Sequence, residues 1–253
     1  MNRQRGFTLI ELVTVIVVLG IIGGFSVQFI ADTIEGYNRS IERGRLIAQG
    51  RQALERMSRQ LRASVPNSIR TQTLSGFACI EFIPVAGGGN YIGQVPDADN
   101  GAPAVSSLST GGYRVDFGSA SRLFIAPLSV AEVYGGSAAE VALSSTLAEG
   151  DTGTTLNFSS HTFLRNSISH RFFLAHDAQA FCYTGSQIRY YSDSGSVSPA
   201  GGDIVADDVT TVTPFSVSTG SEDRNTLVAM EFDFRRGGEA VTLNREALIR
   251  NVP

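Results

Sequence analysis

Two sets of residues in this 253-residue chain have the types and spacing to do chemistry. The first is the string Arg5-Gly6-Phe7-Thr8-Leu9-Ile10-Glu11. It ends in a carboxylate at the edge of twenty uncharged residues, Leu12 to Ala31. An acid beside an apolar run of that length is costly in lipid and marks a functional position. Poorly solvated, it needs a cationic partner. The second set is Cys79 and Cys182, the two cysteines of the chain. They can form a disulfide in an oxidising compartment or remain two buried thiols. Two sulfurs alone make a poor structural zinc site, and no Cys-x-x-Cys or neighbouring His pair supports one.

The other candidates point away from catalysis. His161, His170 and His176 lack a metal-ligand spacing, and neither H-E-x-x-H, G-x-S-x-G nor a dinucleotide fingerprint occurs. All twenty basic residues are Arg. Without Lys there is no P-loop lysine, no Schiff base and no pyridoxal-phosphate site. Gly87-Gly88-Gly89 has no following helix signal and reads as a loop rather than a phosphate cradle. Asp97-Ala98-Asp99-Asn100-Gly101 starts like a calcium loop, but Leu108 stands where the twelfth-position acid belongs, which excludes an EF-hand. A different calcium site there, or at Asp203, Asp207 and Asp208, stays open. The chain is expected to be no enzyme and to need no cofactor.

The elements that must position these residues follow from periodicity. The uncharged run is about as long as a helix needs to cross a bilayer core. It is too long for a secretory signal peptide, and no A-x-A cleavage site follows it. Residues 7 to about 64 read as one helix. The segment 7–31 is expected to span the membrane, and 32–65 to continue as an amphipathic helix. Gly20, Gly23 and Gly24 serve either close helix packing or local bending in the span. Beyond the span, Ile30, Ile34, Tyr37, Ile41, Ala48, Leu54, Met57, Leu61 and Val65 form an apolar stripe expected to pack on the head. Glu35/Arg39 and Glu55/Arg59 are i,i+4 pairs with the acid first. Pro66 stops the helix.

Residues 66–253 read as a β-rich head, giving an α+β fold with a long N-terminal helix packed on it. Strand signals fall at 78–83, 113–117, 122–125, 170–175, 180–184, 188–191 and 227–234. Gly185-Ser186-Gln187 is a hairpin turn. In the last strand Val228, Met230, Phe232 and Phe234 face one way. Arg235-Arg236-Gly237-Gly238 then turns into a further strand at 240–243. The stretches 86–112, 135–153 and 192–203 read as loops.

Charge divides along the chain. Residues 32–64 hold seven Arg against four acids, and residues from 65 onward eleven Arg against nineteen acids, net +3 and −8. An acidic head argues against nucleic-acid binding, since phosphate contacts need clustered cations. Arg3 and Arg5 in the leader place the head across the membrane from the cytoplasm, where an oxidising milieu favours the Cys79–Cys182 disulfide.

The basic leader, Gly6, Phe7 and Glu11, set at fixed spacing beside a spanning run, resemble the signature of the type IV prepilins. A plain single-span anchor explains the length and the charge, but not Glu11 or the Gly-Phe-Thr-Leu-Ile-Glu string. Further on, the segments Arg51 to Met57, Val65 to Ser68, Cys79 to Pro84 and Arg250 to Pro253 look like those of minor prepilins of MSHA-type pili. The layout is also similar to the J-type minor pseudopilins of type II secretion.

The resemblance implies that a membrane prepilin peptidase removes residues 1–6 and methylates the new amine on Phe7. It implies an inner-membrane protein with a periplasmic head. Its partners would be other major and minor pilins and the inner-membrane assembly platform. Many major pilins carry a kinking proline about where Gln28 stands, and this chain has none before Pro66. That departure and the large head favour an initiating or tip subunit. A membrane-tethered ligand-binding module is the alternative from another class; it would not need Glu11.

Overall fold

The structure, a computed structural model, describes residues 8–218 and 225–250. Helix α1 (Leu9–Arg62) runs unbroken for 54 residues, about 80 Å at 1.5 Å per residue. It passes through Gly20, Gly23 and Gly24 with nothing beside them. It ends where Pro66 approaches. The Ala63 N–H closes the last turn on the Arg59 and Gln60 carbonyls, and the Ser64 hydroxyl donates to the Leu61 carbonyl at 2.7 Å.

The head follows in chain order. Strands β1 (Arg70–Leu74), β2 (Phe77–Phe82), β3 (Val85–Asn90), β4 (Val105–Val115) and β5 (Ser119–Phe124) lead to a short helix, α2 (Val130–Tyr134). Then come β6 (Glu140–Ala148), β7 (Thr152–His161), β8 (Arg171–Ala175), β9 (Gln179–Tyr183) and β10 (Ile188–Tyr191). Last are β11 (Asp203–Ala206), β12 (Phe215–Ser218), β13 (Thr226–Arg236) and β14 (Glu239–Ile249). They build a five-stranded sheet in the order β1-β2-β9-β10-β11, a three-stranded sheet β12-β13-β14, and a closed barrel β3-β4-β7-β6-β5-β8. The fold is α+β, as the periodicity predicts.

The barrel is an insertion. Strands β2 and β9 are neighbours in the five-stranded sheet, yet the whole barrel lies between them in sequence. The chain leaves and returns at one place, because Val85 at the start of β3 pairs with Ala175 at the end of β8. Each part has its own core. Leu123, Phe158, Phe163, Phe172 and Leu174 fill the barrel. Leu54, Met57, Leu61, Phe82, Phe181, Phe232 and Phe234 pack between α1 and the two sheets. Burial on this scale, about 1.5–3 kcal/mol per large apolar side chain, is the main favourable contribution to folding.

Docking of α1 on the head begins near Leu46. Leu46, Gly50, Ala53, Leu54, Met57, Ser58 and Leu61 are buried, at helical spacing. Gly50 sets the approach: a Cβ there would lie 2.4 Å from Leu243 Cδ1 and 2.7 Å from Phe234 Cε2. The lower part of the predicted stripe does not dock. Ile30, Ile34, Tyr37 and Ile41 are exposed, as is Ala48. Periodicity identifies an apolar face but not its cover: Ile30, Ile34 and Tyr37 lie below the reach of the head, while Ala48 lies level with it between the docked Leu46 and Gly50 yet stays exposed. Of the two predicted ion pairs, Glu35–Arg39 forms. Glu55 instead pairs with Arg245 on β14 at 2.7 Å, a tertiary partner displacing the local one.

The hairpin of β9 and β10 pairs Tyr183 with Ile188 across the expected turn. In β13, Val228, Met230, Phe232 and Phe234 are at most 1% exposed. The expected loops 86–112 and 135–153 are corrected: they contain β3, much of β4 and β6. Glycine in β3 is a packing requirement. A Cβ on Gly87 would lie 2.2 Å from the Arg114 carbonyl oxygen, and one on Gly88 2.8 Å from that of Phe172. Backbones that close need glycine between them, and this composition imitates a loop.

Candidate functional site

The N-terminal start of α1 is built by local hydrogen bonding. Thr8 is the N-cap, and its hydroxyl accepts from the Glu11 N–H at 3.4 Å. The Thr14 hydroxyl donates to the Glu11 carbonyl at 3.0 Å. Thr8-Leu9-Ile10-Glu11 has the spacing of a capping box, and an acid in the first turn complements the helix dipole. This signal was present in the sequence and gives Glu11 a local role beside any role between subunits. Gly6 and Phe7, with the leader arginines, lie outside the described residues. From Leu9 to Ile30 the apolar side chains project into open space. An 18-residue window of α1 has a mean hydropathy of 2.4 with none of it buried, so the helix is long and apolar enough to cross a membrane.

Cys79 and Cys182 are bonded to each other. They sit opposite one another on β2 and β9 and are 2% and 0% exposed. The bond therefore ties together the two sheet strands between which the barrel is inserted.

The remaining candidates are scattered. His161 packs edge-on against Phe163, His170 stacks on Tyr91, and His176 shares a 2.7 Å hydrogen bond with Ser121. Asp97 closes its own loop. One carboxylate oxygen accepts from the Asp99 and Asn100 N–H groups, and the other from the Asn166 amide. These hydrogen bonds, that of Asn100 foremost, hold its carboxyl below the usual range. Asp207 accepts from Gln187 and the Asp208 N–H, and Asp208 accepts from Arg236. Among the described residues no group of three or more His, Cys, Asp or Glu could hold a metal ion.

One concave feature was invisible in the sequence. A cleft of about 920 Å³ opens where the last turns of α1, the five-stranded sheet and the barrel meet. Arg56, Arg59 and Gln60 line it from the helix, Gln179 and Tyr190 from the sheet, and Phe117 from the barrel. The Arg56 guanidinium lies 5.2 Å from the centre of the Tyr190 ring. Burial pushes the Tyr190 hydroxyl up, and the Arg56 charge partly offsets this. That hydroxyl donates to Gln179 Oε1 at 2.7 Å.

Residues 1–27 match the family described as the prokaryotic N-terminal methylation motif. No curated protein and no solved structure matches the chain. The motif and the apolar helix that it opens support a type IV pilin-like or pseudopilin-like protein, a structural subunit anchored in a membrane by its N-terminal helix with an exposed head.

Proposed function

We propose that this chain is a minor pilin that helps initiate or cap assembly of a type IV pilus of the MSHA type, used in adhesion. The observation that carries the reading is the methylation motif at residues 1–27, continuous with a 54-residue helix that bears a large β-rich head. In this reading the prepilin peptidase cuts between Gly6 and Phe7 and methylates the Phe7 amine. The subunit waits in the inner membrane with its head in the periplasm. It then joins other major and minor pilins through the assembly platform and takes a place at the pilus tip. Glu11 pairs with the methylated, still cationic Phe7 amine of a neighbouring subunit. That contact fixes axial register, since a carboxylate in lipid needs a partner.

Two experiments test this. Mass spectrometry of the membrane-extracted protein should find Phe7 as a methylated N-terminus; an intact Met1 in cells with active peptidase overturns the reading. Glu11→Leu should leave membrane level and cleavage normal while markedly reducing surface pili. Wild-type piliation with normal subunit content would remove the role of Glu11. The Thr8 cap uses the Glu11 backbone N–H, so Glu11→Gln keeps that helix start while deleting the charge, and it should fail in assembly as Glu11→Leu does.

A further inference from the structure

We propose that the cleft at the helix–head junction is a binding site for a carboxylated sugar, a uronate-type residue at the end of a glycan. The proposal holds whether or not the subunit enters a filament. The volume, about 920 Å³, lies within the roughly 300–1,000 Å³ of small-ligand sites. Two cations face it, Arg56 and Arg59. Among the described residues no carboxylate pairs with either, although seven other arginines do pair with acids. Arginine presents a planar fork that matches a carboxylate. Gln60 Oε1 is buried in this region without a hydrogen-bond partner. Gln60 nonetheless lines the cleft, and a side-chain amide both donates to and accepts from hydroxyl groups. Phe117 is 73% exposed at the rim, a flat apolar face of the kind on which a pyranose ring stacks.

The surroundings narrow the class. Asp177 and Asp193 also line the cleft, and they oppose a polyanion while accepting from hydroxyl groups. A nucleic acid or an acid-rich peptide therefore fits poorly. A phospholipid headgroup is out of reach. Arg56 lies 25 residues beyond Ala31, the end of the uncharged run, about 38 Å along a straight helix. What fits is one carboxylate, several hydroxyls and an apolar ring face.

The test is calorimetric titration of the full-length protein in detergent with three probes: a glucuronate-terminated disaccharide, its neutral glucose counterpart and a hexaglutamate peptide. The acidic disaccharide should bind at least tenfold tighter than either of the others. Arg59→Gln should weaken it at least tenfold, and Phe117→Ala should weaken the acidic and neutral sugars together. An unchanged melting temperature and an intact Cys79–Cys182 bond show that each variant is folded. Equal binding of acidic and neutral sugars, tighter binding of the peptide, or no binding of the disaccharide would each overturn the proposal. None of these outcomes bears on cleavage at Gly6 or on piliation, so the filament reading stands or falls separately.

Discussion

Replacing both Cys79 and Cys182 with Ala should destabilise the head by about 3 kcal/mol, and the barrel insertion sets that figure. The bonded residues are 103 apart in sequence. If the whole head unfolds as one unit, the bond closes a loop of that length, worth about 4.7 kcal/mol in the chain-entropy account. The barrel, however, has its own core, and its two ends meet where Val85 pairs with Ala175. With the barrel folded, the loop reduces to the links from Cys79 to Val85 and from Ala175 to Cys182. That is a loop of roughly 15 residues, worth about 3 kcal/mol. The assay is urea denaturation of the full-length protein in detergent, followed by circular dichroism because the chain has no Trp. Reduced wild-type protein is measured beside the variant to separate loss of the bond from loss of two buried sulfurs. Hydrogen exchange of β5 and β8 amides reports the barrel directly. A loss near 4.7 kcal/mol with barrel amides opening in the same transition would refute the independent barrel. A loss below about 1 kcal/mol would refute closure of the loop by this bond.

Gly87→Ala should lower the melting temperature measurably, with an over-packing cost of about 1–3 kcal/mol, because the new methyl would meet the Arg114 carbonyl. Arg70→Ala should cost about 3 kcal/mol. It strips the cation, held at 2.6 Å, from Glu81, which is only 3% exposed, and chemical denaturation measures the loss. Burial acts to raise the Glu132 carboxyl, but hydrogen bonds from Arg165 and the Leu128 N–H and the Arg165 charge outweigh it and hold it below its ordinary value of 4.5. A depressed folded-state pKa gives stability that is present above 4.5 and lost as pH falls through the folded value. Glu132→Gln should therefore flatten the acid limb of a stability–pH profile below about 4.5, and an unchanged limb would count against the pair.

The helix, its stop at Pro66, the β9–β10 hairpin and the inward face of β13 were legible because each rests on local rules: period, turn chemistry and alternation. The barrel was not. β3 reads Val-Ala-Gly-Gly-Gly-Asn, and its strand state comes from partners far along the chain. β6 is rich in Ser and Ala and the first half of β4 in Ser, and pairing rather than propensity holds them. The exposure of Ile34, Tyr37 and Ile41 was equally hidden, since a stripe does not record where the head ends. Of the site residues, Cys79 and Cys182 were readable as a pair because only two exist. The cleft was not, because Arg56, Phe117 and Tyr190 converge only through the docking of three separately built parts.

The unbroken α1 between the uncharged run and the first buried residue, Leu46, acts as a screw thread between membrane and head. Head and span share one rigid helix, so the number of residues between them fixes both height and azimuth. One residue inserted between Ile34 and Tyr37 would lift the head by about 1.5 Å and turn it by about 100°. Seven would lift it by about 10 Å and return it to within about 20° of its starting direction. The direction in which the head faces its neighbours is thus encoded as a residue count in a segment that meets the head only toward its upper end, where Glu42 lies 3.6 Å from Arg236.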